Sequence, residues 1–222
     1  MAAVGRLRVL IVGTGGVGGW CAEALVRSGV TRLALVDSDR VAPSNVNRQA
    51  MATPATVGEL KVEALRRLLL AINPAAEIAA HAVRFTPESA CAAPFDFSCY
   101  DVVVDAIDSV DCKAALIRAV LATPQTTLFS SMGAARRLDP FRLRHTDFRK
   151  VAGDGLARAL RQRFKKDGAF PSRPFTCVWS EEPPLETPPE NANDAEARAF
   201  GSVITVTAAF GFALASLVLD RV

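Results

Sequence analysis

The chain places Gly13-Thr14-Gly15-Gly16-Val17-Gly18 between a short apolar run and a stretch of helical periodicity. No other feature limits its fold so tightly. Residues Arg8 to Val12 (RVLIV) end at the first of these glycines and read as a buried parallel strand. Residues Val17 to Ser28 repeat apolar positions at helical spacing and stop at Gly29. Arg32 to Val36 (RLALV) form a second strand, ended by Asp37. A strand, glycine turn, helix and strand in this order suit a phosphate. The glycines let backbone approach it closely, and the helix N-terminus offers N–H groups that lack intrahelical partners. Asp37 stands 19 residues after Gly18, a spacing that suits a carboxylate accepting from ribose hydroxyls. The pattern alone fits NAD, FAD or ATP, and a tight turn without a ligand is the plainer alternative.

The alternation continues along the chain. Glu59 to Ile72 has helical spacing and ends at Asn73-Pro74, and Glu77 to Val83 reads as a third strand. Pro87 to Ala92 suggests a short helix, Asp101 to Val104 a fourth strand, Asp111 to Leu121 a helix and Thr126 to Phe129 a fifth strand. The expected class is α/β: a doubly wound, mostly parallel Rossmann-like sheet with helices on both faces, plus a C-terminal α+β extension. Residues 1–135 form the expected nucleotide-binding core, with 136–222 packed on it. Half of the 222 residues are apolar, enough to bury a sizeable core without staples.

Charge is informative by position rather than in total. The net value of +3 does not by itself announce a nucleic-acid binder. Residues 136–173, however, hold twelve Lys or Arg against four Asp. Within them Leu156, Leu160 and Phe164 recur every four residues, so one helical face can pack. Arg158, Arg161, Arg163, Lys165 and Lys166 would then face largely toward solvent, a surface suited to RNA phosphates. An ordinary solvated amphipathic helix is the alternative. Glu181 to Glu196 is acidic and rich in Pro and Asn, and reads as a mobile loop. Gly201 to Leu219 carries no charge; a buried core or interface helix is expected there, with a membrane anchor as the alternative. Five cysteines with no C-x-x-C pair argue against a disulfide framework or a paired-thiolate zinc site. With no signal peptide in view, a reduced, cytoplasmic protein is the expectation.

The stretch after Asp37 bears on which nucleotide binds. Asp37-Ser38-Asp39 is followed by Ser44-Asn45-Val46-Asn47-Arg48-Gln49, then by Val57-Gly58-Glu59-Leu60-Lys61. Hydride transfer develops little phosphate charge and needs no such cations. Attack of a carboxylate on an α-phosphate releases pyrophosphate, and cations must stabilise the charge that builds up. Arg48 and Lys61 are the candidates, although either alone would be read as a solvated surface charge. Asp105-Ala106-Ile107-Asp108-Ser109 closes the fourth strand, at the sheet edge where ligands bind. Asp108 could hold Mg²⁺ against phosphate oxygens, or Asp108 or Ser109 could cap the next helix.

GTGGVG, LVDSDRV, SNVNRQ, VGELK, INP and DAIDS, in this order and spacing, resemble the ThiF/MoeB/HesA relatives of ubiquitin-activating enzymes. The resemblance covers roughly Leu7 to Pro140. It implies binding of ATP and Mg²⁺ and activation of a carboxylate as its adenylate. Carried over by motif, the ATP site falls on Gly13, Gly15, Gly16 and Gly18, with Asp37, Asp39, Asn45, Arg48, Gln49 and Lys61. Asp108 completes it as the metal residue, and Arg48, Lys61 and Asp108 carry the chemistry.

DAIDSVDCKAALI, SSMGAARRLDP and ITVTAAFGFALAS further resemble the tRNA threonylcarbamoyladenosine dehydratase branch. That branch implies adenylylation of the threonine carboxylate on a modified tRNA adenosine, then closure of a ring that expels AMP. It also implies a tRNA substrate, a homodimer and room for a sulfur-transfer protein partner, with no role for DNA. Activation of the C-terminal carboxylate of a ubiquitin-like or sulfur-carrier protein is the alternative, against which the missing zinc cysteines weigh. Cys177 matches a position often held by cysteine in this branch; a buried structural thiol is expected, with a nucleophile as the alternative. Relatives usually carry an N-terminal helical segment that supplies an arginine to the phosphates, whereas about six residues precede the first strand here. Arg136 or Arg137 could compensate, or the chain could be a nucleotide-binding partner with impaired catalysis.

Overall fold

A computed structural model of the chain describes residues 4–89, 94–186 and 201–221, and these described residues form seven strands and five α-helices. The strands are β1 (Arg8–Val12), β2 (Arg32–Val36), β3 (Glu77–His81), β4 (Val102–Asp105), β5 (Thr127–Ser131), β6 (Leu143–Asp147) and β7 (Thr176–Ser180). The helices are α1 (Gly18–Arg27), α2 (Lys61–Ile72), α3 (Val110–Leu121), α4 (Gly155–Lys166) and α5 (Ile204–Leu219). The strands form one sheet in the order β3-β2-β1-β4-β5-β7-β6, parallel except for the antiparallel β6–β7 pair. The doubly wound α/β expectation holds, and the C-terminal extension contributes two strands to the same sheet.

Strands β1, β2 and β4 are apolar almost throughout because both sheet faces are covered. Val9, Ile11, Leu33 and Leu35 join the core beneath α1, α2 and α5. Leu10, Val12, Ala34 and Val36 point the other way, into the core of α3 and α4. The strand order reverses between the neighbouring strands β1 and β4, so the connections that leave their carboxyl ends run to opposite faces and open the crevice where such sheets hold ligands.

The third strand stops at His81 rather than Val83, and the fifth runs to Ser131 rather than ending at Phe129. Pro87–Ser89 is a single 3-10 turn, and the rest of the short helix expected to Ala92 lies outside the described residues. So do residues 187–196 of the expected mobile loop.

The uncharged C-terminal stretch forms α5, whose Val206, Phe210, Leu214 and Val218 are buried. At 16 residues it is shorter than a bilayer requires. No helix among the described residues is long and apolar enough to cross a membrane. It packs closely on α1: a Cβ at Gly211 would come within 2.6 Å of the Val17 carbonyl oxygen.

Candidate active site

The glycine turn bridges β1 and α1 at the mouth of the crevice. Gly13 sits at φ +91°, and a Cβ there would meet the Ala106 carbonyl oxygen at 2.7 Å. A Cβ on Gly18 would collide with the Gly13 carbonyl. These two glycines are therefore required by the protein itself. Gly15 differs: a Cβ there would touch only the Gln49 side-chain amide, at 3.8 Å. The space above Gly15 is held open toward the crevice, as close approach of a phosphate needs.

Asp37 ties the turn to the end of β2. Its Oδ2 accepts from the Thr14 backbone N–H at 2.8 Å and from the Thr14 hydroxyl at 3.1 Å, while Oδ1 accepts from the Asp39 N–H at 2.9 Å. Asp39 in turn pairs with Lys61, Nζ to Oδ2 2.9 Å. The intervening loop folds back on itself to allow this. Arg40 bridges Leu60, and Val41 exchanges backbone hydrogen bonds with Gly58 and Glu59. Lys61 is the first residue of α2, so its ammonium opposes the positive end of the helix dipole. Its side chain is nonetheless only 9% exposed. A buried cation at that helix end requires anions nearby, and Asp39 is one.

Arg48 arrives from the same loop. Its backbone carbonyl accepts from the Trp20 indole at 2.9 Å, which fixes it to α1. Its Cγ would lie 3.3 Å from a Cβ on Gly16, so the stem crosses the glycine turn. The guanidinium donates through Nη1 to the Ser44 carbonyl and the Asn47 side chain, both at 2.8 Å. Partial burial lowers its pKa, and charge held in such a setting is poised for an anion. Asn45 is buried and spends Oδ1 on the Ala42 N–H, shaping the loop. Gln49 is also buried, and its Oε1 has no hydrogen-bond partner. An orphaned acceptor beside the open space above Gly15 fits a ligand that donates to it.

Asp108 stands on the loop after β4, exposed and with no hydrogen bond or ion pair among the described residues. Ser109 is the cap residue of α3, yet no side chain caps that helix. The capping alternative therefore fails for both residues. Among the described residues no cluster of three His, Cys, Asp or Glu gathers. Mg²⁺ suits such a place because it takes most of its ligands from phosphates and water.

Sequence reasoning missed what lies beneath. Asp105 and Lys113 form a fully buried ion pair at 2.8 Å. Ser130 donates to Asp105 Oδ2 at 2.7 Å, and Lys113 donates to the Ile107 carbonyl at 2.9 Å. Asp105 Oδ1 accepts the Ile107 N–H at 3.1 Å. Both polar groups of the Ile107 backbone are thus pinned, one residue before Asp108. The available signal was a lysine among the apolar, core-facing positions of α3. The start of α5 was missed too: Thr207 packs where a Gly16 Cβ would be, and the Ser202 carbonyl accepts from Asn47.

The basic segment departs in part from its expected face. Leu160 and Phe164 are buried and Leu156 is partly buried, as the periodicity implies. Arg161, expected toward solvent, instead donates to the Phe148 and Val151 carbonyls and lies 5.0 Å from the Phe148 ring centroid. Arg163 pairs with Asp111 and Asp167. Arg137 is buried against Asp154 and donates to the Ser180 carbonyl, so it is not available to substitute for a phosphate-binding arginine. Burial lowers its pKa against the opposing pull of Asp154. Arg136 adopts φ +59° and its N–H bonds the Gly201 carbonyl.

Cys177 lies in the core beside the Asp105–Lys113 pair, and burial drives its pKa well above the usual thiol range, more than the nearby lysine can offset. A nucleophile must be a thiolate, a form that this burial disfavours.

The ThiF family model matches residues 1–219. The chain is 33% identical to a Haemophilus influenzae tRNA threonylcarbamoyladenosine dehydratase across all of this chain and 87% of that protein. It is 38% identical to the Bacillus subtilis protein of the same name over 80% of this chain and 68% of the relative. A crystal structure of the Escherichia coli enzyme in complex with ATP superposes with a TM-score of 0.86 at 33% identity, covering 99% of this chain and 87% of that one. On a match that spans nearly its whole length, the chain belongs to the ThiF family.

Proposed function

We propose that the protein is an ATP-dependent tRNA threonylcarbamoyladenosine dehydratase. The observation that carries this is Arg48 lying across the glycine turn at Gly16, with Asp37 linking the same turn to Asp39 and its partner Lys61. The named relatives, matched over most of their length, supply the substrate.

The unpaired backbone N–H groups of the turn and of the α1 N-terminus face the triphosphate, and Asp37 accepts from the ribose through the free lone pair of Oδ1. Arg48 and Lys61 stabilise the charge that grows as the threonine carboxylate oxygen attacks the α-phosphorus and pyrophosphate leaves. Asp108, without a hydrogen bond or ion pair among the described residues and held by the pinned Ile107 backbone, would hold Mg²⁺, which supplies charge neutralisation at the phosphates. The carbamoyl oxygen of the same side chain then closes onto the activated carbonyl and AMP departs. The attacking atom is already beside the electrophile, so no enzyme nucleophile is needed. The buried Cys177 thiol agrees with this. Charge on α4 supports an RNA substrate: Arg163 bonds Asp111 at 2.7 Å, which sets this helix three residues from Asp108. A homodimer in the cytoplasm, where ATP and tRNA meet, completes the reading.

Incubation with ATP, Mg²⁺ and threonylcarbamoylated tRNA should yield a nucleoside lighter by one water on mass spectrometry, with stoichiometric pyrophosphate. Asp108→Ala should abolish most of that signal with ATP binding retained. Pyrophosphate release that responds only to small carrier proteins would point to the sulfur-carrier alternative. ATP binding with no turnover on either would mark an impaired partner protein.

A further inference from the structure

Phe141 is the most exposed large apolar side chain among the described residues, at 90%. It is held stiffly for a residue so bare. Its N–H is bonded by the Asp139 carboxylate at 2.9 Å, and Pro140 precedes it. Asp139 is itself fixed, its N–H donating to Glu182 at 2.9 Å. The Leu143 N–H closes the turn onto the Pro140 carbonyl. Burying a phenylalanine stabilises a fold by about 1.5–3 kcal/mol. A rigid turn that withholds that gain displays the ring instead.

The ring's place in the sheet is informative. β6 runs antiparallel to β7, with Leu143 opposite Ser180, the last residue of β7. The turn before β6 therefore sits at the carboxyl edge of the sheet, the same edge as the glycine turn and Asp108. Three strand spacings separate β4 from β6. At about 4.8 Å each, Phe141 stands roughly 15 Å from the crevice along that edge. That is too far for the reacting nucleoside and close enough for its neighbours in an unpaired strand.

The surroundings suit RNA. Arg142 is exposed, and its side chain has no hydrogen bond or ion pair among the described residues. Leu138 and Leu185, both exposed, flank the same corner. Three of the carboxylates nearby are engaged: Asp139 by Phe141, Glu182 by the Leu138 and Asp139 N–H groups, and Glu181 by Arg144 at 2.9 Å. An aromatic face beside an unspent guanidinium is the arrangement that stacks a splayed base and holds its phosphate.

We propose that Phe141 is a stacking platform for an unpaired base next to the reacting nucleotide, with Arg142 on the adjoining phosphate. This rests on the RNA-modifying reading and adds a subsite to it. The test is binding of a tRNA-type stem-loop carrying 2-aminopurine in its loop, with the full chain. Wild type should quench the fluorescence on binding. Phe141→Ala should weaken binding roughly five- to a hundredfold and abolish the quench, with ATP affinity and melting temperature unchanged. Phe141→Trp should retain both. Arg142→Gln should lower the salt dependence of binding by about one ion, whereas Phe141→Ala should leave it alone.

Phe141→Leu that binds and quenches like wild type would overturn stacking. Phe141→Ala that breaks an oligomer would show the ring facing a second copy, and would overturn it too. Dehydration at unchanged tRNA KM in Phe141→Ala would sink this subsite and leave the dehydratase reading intact. Phe141-dependent quenching without any dehydration would do the reverse.

Discussion

The loop between β2 and α2 holds few cations near the phosphate cradle, whereas residues 136–173 hold twelve, and the two regions spend their charge differently. Arg48 and Lys61 are partly or largely buried against few partners: Arg48 donates to the Ser44 carbonyl and the Asn47 side chain, and Lys61 pairs with the exposed Asp39. One crosses the glycine turn, and the other sits at the unfavourable end of a helix. In the basic segment much of the charge is structural. Arg137 answers a buried aspartate, Arg161 and Arg173 tie down backbone carbonyls, and Arg163 clamps α3 to α4. Arg142, Lys150, Arg158, Lys165 and Lys166 are left without side-chain partners among the described residues. Density of charge is therefore a poor guide to chemistry, and burial against an expected penalty is a better one.

The largest effects should come from the structural cations. Arg137→Met leaves Asp154 buried and unpaired, and Lys113→Met does the same to Asp105. Each should lower unfolding free energy by about 3–5 kcal/mol in urea titrations. If Arg137→Met instead left stability intact and lost RNA affinity, the division between the two regions would fail.

Next come the loop cations. Arg48→Ala and Lys61→Ala should each reduce kcat by roughly 10²–10³-fold with an unchanged circular dichroism spectrum and melting temperature. A rise in KM for tRNA alone, at normal kcat, would move them into the class of RNA-docking charges.

The partnerless cations should act more gently. Arg158→Gln, Lys165→Gln and Lys166→Gln together should weaken tRNA binding across sequences. They should also flatten the dependence of log K on log salt by roughly 0.7–0.9 for each RNA phosphate that is no longer neutralised, with kcat preserved. An unchanged slope would mark α4 as an ordinary solvated helix.

The smallest effect belongs to a pair distant from both regions. Arg8 hydrogen-bonds Asp101 and holds its carboxyl below the usual carboxylate range. A depressed folded-state pKa gives stability that is present above about pH 4, the unfolded value, and is lost as pH falls through the folded value. Asp101→Asn should therefore cost a fraction of a kcal/mol at neutral pH, as exposed pairs do, and converge with wild type in strong acid. A gap that persists at low pH would assign the loss to packing.

The strand and helix pattern, the glycine turn and the place of Asp37 at the end of β2 were legible in the residues because they obey local rules, whereas the roles of Arg48 and Lys61 belong to the proposed function. Periodicity sets burial, glycine spacing sets backbone approach, and phosphate chemistry needs cations at the sheet edge. Asp105 and Lys113 were not legible, since nothing local says that an aspartate ending a strand meets a lysine eight residues on in a helix above it. The same holds for Arg161 and Arg163, which periodicity turned outward and which long side chains carried back to carbonyls and carboxylates.

The order of the residues thus decided the fold class and which groups could reach a nucleotide. Only the tertiary structure decided which charges remain free to use, because a cation's partner is chosen by elements that pack from far along the chain. The exposed Phe141 belongs to that second kind of fact: a single aromatic in a polar stretch says nothing until the sheet places it on the same carboxyl edge as the crevice.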